Sequence, residues 1–271
     1  MQATVENFAT YRAGPNSYAL GHLVIPVARL EELGAALPGD VDFPWRVSAL
    51  MSGNLDTDFA AISEFNRQFA GRARIDTVEL RVQSPEKIET AATQLPEELD
   101  AYFEIPVADD PSAFIAAIGA ARQRAKIRTG GVTPDAFPQA VEIVRFLDLC
   151  AHANVPFKAT AGLHHPLYSH RPLTYSADAP QGWMFGFMNV FLAAAWIRLG
   201  MDPKAIAPLL EEQDPSALRV STGEVSWRVF RLTGAQVEDI RNRFALSFGS
   251  CSFEEPIADL QSLGWLKDMS W

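Results

Sequence analysis

The chain is poor in cysteine and has no local excess of positive charge. Only Cys150 and Cys251 occur in 271 residues, far apart and in no CxxC or comparable spacing. Neither a disulfide scaffold nor a zinc or iron–sulfur site is indicated, and two reduced thiols fit a cytoplasmic protein. Lys and Arg number 23 against 33 Asp and Glu, a net charge of −10, and no basic stripe offsets it locally. Nucleic acid and anionic membranes are therefore not expected as partners. A small anionic substrate remains open, because a site can be basic within an acidic shell. No GxGxxG or GxxxxGK[ST] turn is present, which removes the usual signatures of a dinucleotide or P-loop nucleotide site. MQATVENFATYRAG at the start is polar and lacks a charged-then-apolar pattern, so no export signal is expected. One long apolar run exists, Trp183 to Leu199, interrupted by Gly186, Asn189 and Arg198. It reads as a buried helix or a self-association surface rather than a membrane span.

What is present is alternation. GHLVIPVARL, WRVSALMSG, DTVELRV, AYFEIPV, AKIRTGG and PFKATAGL are each strand-like, and a helical stretch follows each of the first five. Ser84-Pro85 and Asp110-Pro111 supply helix-start grammar before two of those stretches. Strand–helix alternation implies a parallel sheet with helical crossovers, and the spacing fits a (β/α)8 TIM-type barrel, which needs about 250 residues. A doubly wound open sheet is the competitor. Its strands read as continuous apolar runs, whereas here charged residues recur within successive strands: Arg46, Glu79, Arg81, Glu104, Lys126, Arg128 and Lys158. The expectation is one domain over 1–271, with a long loop at 164–182 placed to cover a site. Helices are expected over 183–199 and about 203–212. ALRVSTGEVSWRVFRL reads either as a hairpin turning at Thr222-Gly223 or as an irregular seventh strand. LTGAQVEDIRNRFA is helical, LSFGSCSF is the eighth strand candidate, and EEPIADLQSLGWL is a closing helix with Ser252 and Glu255 spaced as a capping box.

The chemistry concentrates at AKIRTGG and PFKATAGLHHP. Strand side chains alternate, so Lys126 and Arg128 share one face of their run and Lys158 and Thr160 share one face of theirs. Charge on the buried face of a core strand must be paired or used. A lysine amine attacks carbonyls only when neutral, and a dry pocket or a neighbouring cation favours that form. Lys158 is the candidate nucleophile, with Lys126 or Arg128 as the cation. The structural alternative for both lysines is an ion pair, Lys158 with Glu104 or Glu79 and Lys126 with Glu104.

FKATAGL resembles the sixth-strand segment of class I aldolases of the deoxyribose-phosphate aldolase type, where a lysine followed by Thr, Ser, Thr, Gly and Phe forms the Schiff base. The resemblance implies a barrel fold and a lyase activity with Lys158 as the Schiff-base residue. It covers about seven residues, and the chain departs from the family in placing its second lysine, Lys126, on the preceding strand. Nearby acids are Glu79 and Glu104 rather than an aspartate. AKIRTGG, KATAGLHHP and SFGSCSFEEP together also resemble a group of bacterial proteins of unassigned function.

The remaining candidates complete a reaction on that scaffold. Glu104 or Glu79, in apolar surroundings, would transfer protons next to a carbonyl. Arg128 and Thr160 would bind the substrate. His164 and His165 follow the sixth strand and point apart, so one of them is expected to face the pocket. Gly130 and Ser250 would present polar groups to an anion, for which barrel enzymes often use the seventh and eighth strand loops. Cys251 reads as either a low-pKa thiol at a helix start or a small buried residue, the second being preferred. The substrate class is a small anionic carbonyl compound, with no cofactor and no metal. A second scheme has Glu79, Glu104 and a histidine hold a divalent cation for an enolising lyase or isomerase. A third reading is a non-catalytic barrel that binds a metabolite or partner.

Overall fold

A computed structural model describes residues 1–266. The chain divides into two compact units, the first spanning Met1–Glu104 and the second beginning at Ile105. It is an α/β protein in which parallel strands alternate with helices.

The first unit runs α1 (Gln2–Ala13), β1 (Leu23–Pro26), α2 (Leu30–Ala36), β2 (Trp45–Leu50), α3 (Leu55–Gln68), β3 (Ala73–Arg81), α4 (Pro85–Gln94) and β4 (Asp100–Glu104). β1 pairs with β2, β2 with β3 and β3 with β4, all parallel. The helices start where local chemistry places them. Asn54 accepts from the Thr57 N–H ahead of α3, and Pro85 occupies the first turn of α4. Ser84 sits at the cap position of α4 yet makes no capping bond to its backbone. α1 has no counterpart among the expected elements. It buries only Val5 and Phe8, too few apolar positions for a legible stripe, and Phe8 anchors it by packing 4.8 Å from the Trp45 ring. Between β2 and β3 the register slips by one residue, from Val47↔Ile75 to Ser48↔Thr77. The extra residue is Asp76, and a bulge of this kind re-aims a side chain.

The second unit runs α5 (Ser112–Ala120), β5 (Arg124–Arg128), α6 (Ala140–Ala153), β6 (Phe157–Thr160), β7 (Ser169–Pro172), β8 (Gln181–Met184), α7 (Phe187–Arg198), α8 (Pro203–Ile206), β9 (Leu218–Val220), β10 (Glu224–Trp227), β11 (Phe230–Thr233), α9 (Gly234–Arg243), β12 (Ala245–Gly249) and α10 (Glu254–Ser262). β6 is central, parallel to β5 on one side and to β12 on the other. The eighth strand candidate is thus β12, a parallel partner of the sixth. The seventh candidate resolves as an antiparallel ribbon, β11-β10-β9, that stands apart from the parallel strands. Its turn falls at Thr222-Gly223, where the Ser221 N–H donates to the Glu224 carbonyl at 2.9 Å. The stretch expected as a long loop contains a hairpin, β7 with β8.

Phe157 defines the helix-facing side of β6. Its ring meets Phe146 of α6 edge-on at 5.6 Å, Phe191 of α7 at 5.9 Å and Phe244 at 5.3 Å. Because residues alternate along a strand, Lys158 and Thr160 are turned to the opposite face. The apolar run is α7, which starts at Phe187 because 181–184 is a strand. Nine of its twelve residues are buried within this chain, and no helix among the described residues is long and apolar enough to cross a membrane. Asn189 interrupts the run because its amide donates to the Leu209 and Glu212 carbonyls at 2.7 and 3.1 Å, satisfying backbone that would otherwise be buried unpaired.

Candidate functional site

Lys126 and Lys158 are direct cross-strand partners on β5 and β6. Both side chains are buried, at 7% and 6% exposure. In-register neighbours on parallel strands point to one face, so the two ammonium-bearing chains leave the sheet side by side. Two residues further on, Arg128 pairs with Thr160 in the same register. Arg128 is exposed at the strand end. Thr160 has a buried hydroxyl with no hydrogen-bond partner. Such an orphaned group costs about 1–3 kcal/mol unless something supplies a partner, and it lies on the face that carries Lys158.

The end of β6 is held in an uncommon conformation. Ala161 and Gly162 both have positive φ, +67° and +74°. For alanine this left-handed state costs about 1–2 kcal/mol. Thr129, fully buried, pins it: its N–H donates to the Thr160 carbonyl at 2.8 Å and its hydroxyl to the Ala161 carbonyl at 2.7 Å. Sequence reading passed over Thr129, although its place between Arg128 and the glycines marks the end of β5. Gly130 is required by packing: a Cβ there would lie 2.5 Å from the Phe137 ring, and one on Gly162 would lie 3.3 Å from Gly130 Cα. Its closest neighbour is thus an aromatic ring.

The histidine doublet lies beyond this turn, where strand alternation no longer applies. Both rings reach α10: His164 Nδ1 to Glu255 at 2.9 Å and His165 Nδ1 to Asp259 at 2.7 Å. The two partners lie four residues apart on one helix face. Cys251 Sγ lies 3.6 Å from His164 Nε2 and 3.9 Å from Nδ1, and Ser250 Oγ lies 3.4 Å from His164 Nδ1. Tyr175, from the segment between β7 and β8, donates its hydroxyl to Glu255 at 2.7 Å and lies 3.6 Å from Cys251 Sγ. Cys251 is exposed, which corrects its reading as a small buried residue. The capping box at α10 is half-formed. Ser252 accepts from the Glu255 N–H at 3.1 Å, but the Glu255 carboxylate is taken by His164 and Tyr175.

These contacts set the ionisation of the cluster. The bond to Cys251, followed by that to Glu255, pushes the His164 imidazole up to about 9 against the opposing effect of burial. In turn His164 holds the Cys251 thiol below its ordinary value, outweighing burial. Burial works against ionised Glu255, yet His164 and Tyr175 together keep its carboxyl below the usual range. Cys150, by contrast, is fully buried, and burial pushes its thiol well up.

The two acids nominated from sequence belong to the first unit. Glu79, 3% exposed, accepts from the Ser48 hydroxyl at 2.8 Å. Glu104 lies 3.9 Å from the Arg81 guanidinium at the end of β4. Among the described residues no group of three or more His, Cys, Asp and Glu is arranged to hold a metal ion.

The fold and this arrangement define a parallel-stranded α/β protein with a buried lysine pair at neighbouring strands and a histidine–thiol–carboxylate cluster beyond the turn. No protein-family model matches the chain, and comparison with curated proteins found no match.

Proposed function

We propose that the chain is a lyase of aldolase type on a (β/α)8-barrel scaffold, acting in the cytoplasm on a small anionic carbonyl compound through a Schiff base at Lys158. The observation that carries this reading is the in-register burial of Lys126 beside Lys158. Like charge and removal from water both favour the neutral amine of one partner, the form that attacks a carbonyl carbon. The amine adds to the carbonyl and water leaves. The β-hydroxyl of the resulting iminium then gives its proton to a base, the Cα–Cβ bond breaks, the β-carbon departs as an aldehyde, and the electron pair passes to the iminium to form an enamine. Protonation of the enamine and hydrolysis return the free amine. Arg128, exposed two residues along the same face, would hold the substrate anion, and the unpartnered Thr160 hydroxyl would donate to a substrate oxygen.

Borohydride trapping with a panel of aldehydes and 2-keto acids, read by peptide mass mapping, tests the reading. The expected result is one reduced adduct on Lys158, absent from Lys158→Met and from the charge-conserving Lys158→Arg. Lys126→Met should keep the adduct but move the trapping profile to higher pH, because the neighbouring cation is gone. A panel that leaves Lys158 unmodified throughout removes the proposal.

A further inference from the structure

The thiol of Cys251 is not used by the proposed reaction, yet its surroundings are those of an activated nucleophile. His164 Nδ1 meets Glu255 at 2.9 Å, and Cys251 Sγ lies against the same ring, 3.6 Å from Nε2 and 3.9 Å from Nδ1. The imidazole is thereby oriented by a carboxylate and held beside the sulfur, where its positive charge favours the thiolate. Tyr175 touches both the carboxylate and the sulfur, so the four side chains form one connected set. His165 and Asp259 form a neighbouring pair, the two histidine rings being 6.4 Å apart. The groups that bear on the sulfur's charge are therefore His164 and Tyr175 in contact, Glu255 acting through His164 against the direct repulsion of its own charge, and the His165–Asp259 pair behind them.

The chain offers this thiol no internal partner. The one other cysteine, Cys150, is fully buried within α6. A disulfide at Cys251 must then take its second sulfur from outside the chain, and the sulfur is exposed to receive it.

We propose that Cys251, assisted by His164 and Glu255, is a modification site that exchanges with low-molecular-weight disulfides of the oxidised-glutathione class. The Cys251 thiolate attacks one sulfur of the small disulfide. A new S–S bond forms to Cys251, the original S–S bond breaks, and the departing sulfur leaves as a thiolate that takes a proton from water. Any small dithiol reverses the step. The modification stands whether or not Lys158 forms a Schiff base.

The test is the rate of mixed-disulfide formation with oxidised glutathione between pH 5 and 10, followed by intact mass and peptide mapping, in the full chain and in His164→Ala, Glu255→Gln and Cys251→Ser. The adduct is expected on Cys251 alone and absent from Cys251→Ser. Below pH 7, His164→Ala should react several-fold more slowly. Above pH 9 it should react as fast or faster, since a more basic thiolate is the better nucleophile once ionised. Glu255→Gln should fall between the two. Cys150 serves as the folding indicator: a variant that has lost its structure exposes it and gains a second adduct, and the comparison then passes to the other variant. Superimposable profiles for the full chain, His164→Ala and Glu255→Gln would overturn the proposal, as would a folded chain that leaves Cys251 reduced at neutral pH.

Discussion

Two histidine–carboxylate pairs, one in each unit, show how the same two residue types can serve different ends. In the first unit the bulged Asp76 accepts from His22 at 2.8 Å, Arg46 at 2.8 Å and Thr77 at 2.9 Å. Burial opposes its charge, but His22 and Arg46 outweigh it and hold the carboxyl well below the ordinary range. His22 Nε2, for its part, meets Asp76 and Thr77, so the donors and acceptors close on one another across neighbouring strands. In the second unit Glu255 also binds a histidine, but the ring of that histidine lies against an exposed sulfur, 3.6 Å from Nε2 and 3.9 Å from Nδ1. A closed set of hydrogen bonds stabilises a bulge. A set that ends on a solvent-facing thiol leaves a reactive atom at its edge.

The sharpest way to break the comparison is Asp76→Ala. It strands the imidazole and a hydroxyl at a half-buried bulge and should destabilise the fold by about 2 kcal/mol, read from chemical denaturation. Because Asp76 is held more acidic than its unfolded value of 3.8, its contribution is complete above that pH and is lost as pH falls below it. The variant should accordingly show a flatter acid limb than the parent chain.

Next comes the ionisation of His164, followed by NMR titration of the ring. Cys251→Ser should lower its pKa from about 9 towards the ordinary 6.5, with Glu255 retaining part of the rise. The sign for stability is opposite to that of Asp76. A histidine made more basic by folding contributes fully below about pH 6.5, and the contribution fades as pH climbs through about 9. Denaturation of the parent chain and of His164→Ala should therefore converge on the alkaline side.

The smallest effect belongs to Arg46→Gln. The guanidinium is 65% exposed although it bonds Asp76, so the change should fall within about 0.5 kcal/mol. A loss several times larger would show that the first cluster depends on its arginine as much as on its carboxylate.

The faces on which the paired residues of β5 and β6 stand were legible in the sequence. Alternation within AKIRTGG and PFKATAGL put Lys126 with Arg128 and Lys158 with Thr160, and the register of β5 on β6 brings these pairs opposite each other. What sequence could not show was the company of His164. The residues that meet there lie 87 and 91 positions away, at Cys251 and Glu255. Glu255 had a sound local reading as a capping partner of Ser252, and tertiary contact overrode half of it. The turn at Ala161 was equally hidden. Alanine carries no sign of positive φ, and only Thr129 on the adjacent strand explains how the conformation is held.

By itself the sequence determined the alternation of strands and helices from β1 to β6, the apolar helix of the second unit and the faces on which the lysines stand. Those follow from local periodicity, which side chains impose on their own segment whatever surrounds it. Tertiary structure alone decided that the seventh segment leaves the parallel strands for an antiparallel ribbon, that Asp76 is bulged out to meet His22 and Arg46, and that Cys251 opens to solvent beside His164. Each depends on which distant surfaces pack together, and a hydrogen bond between residues ninety positions apart leaves no periodic trace in the chain.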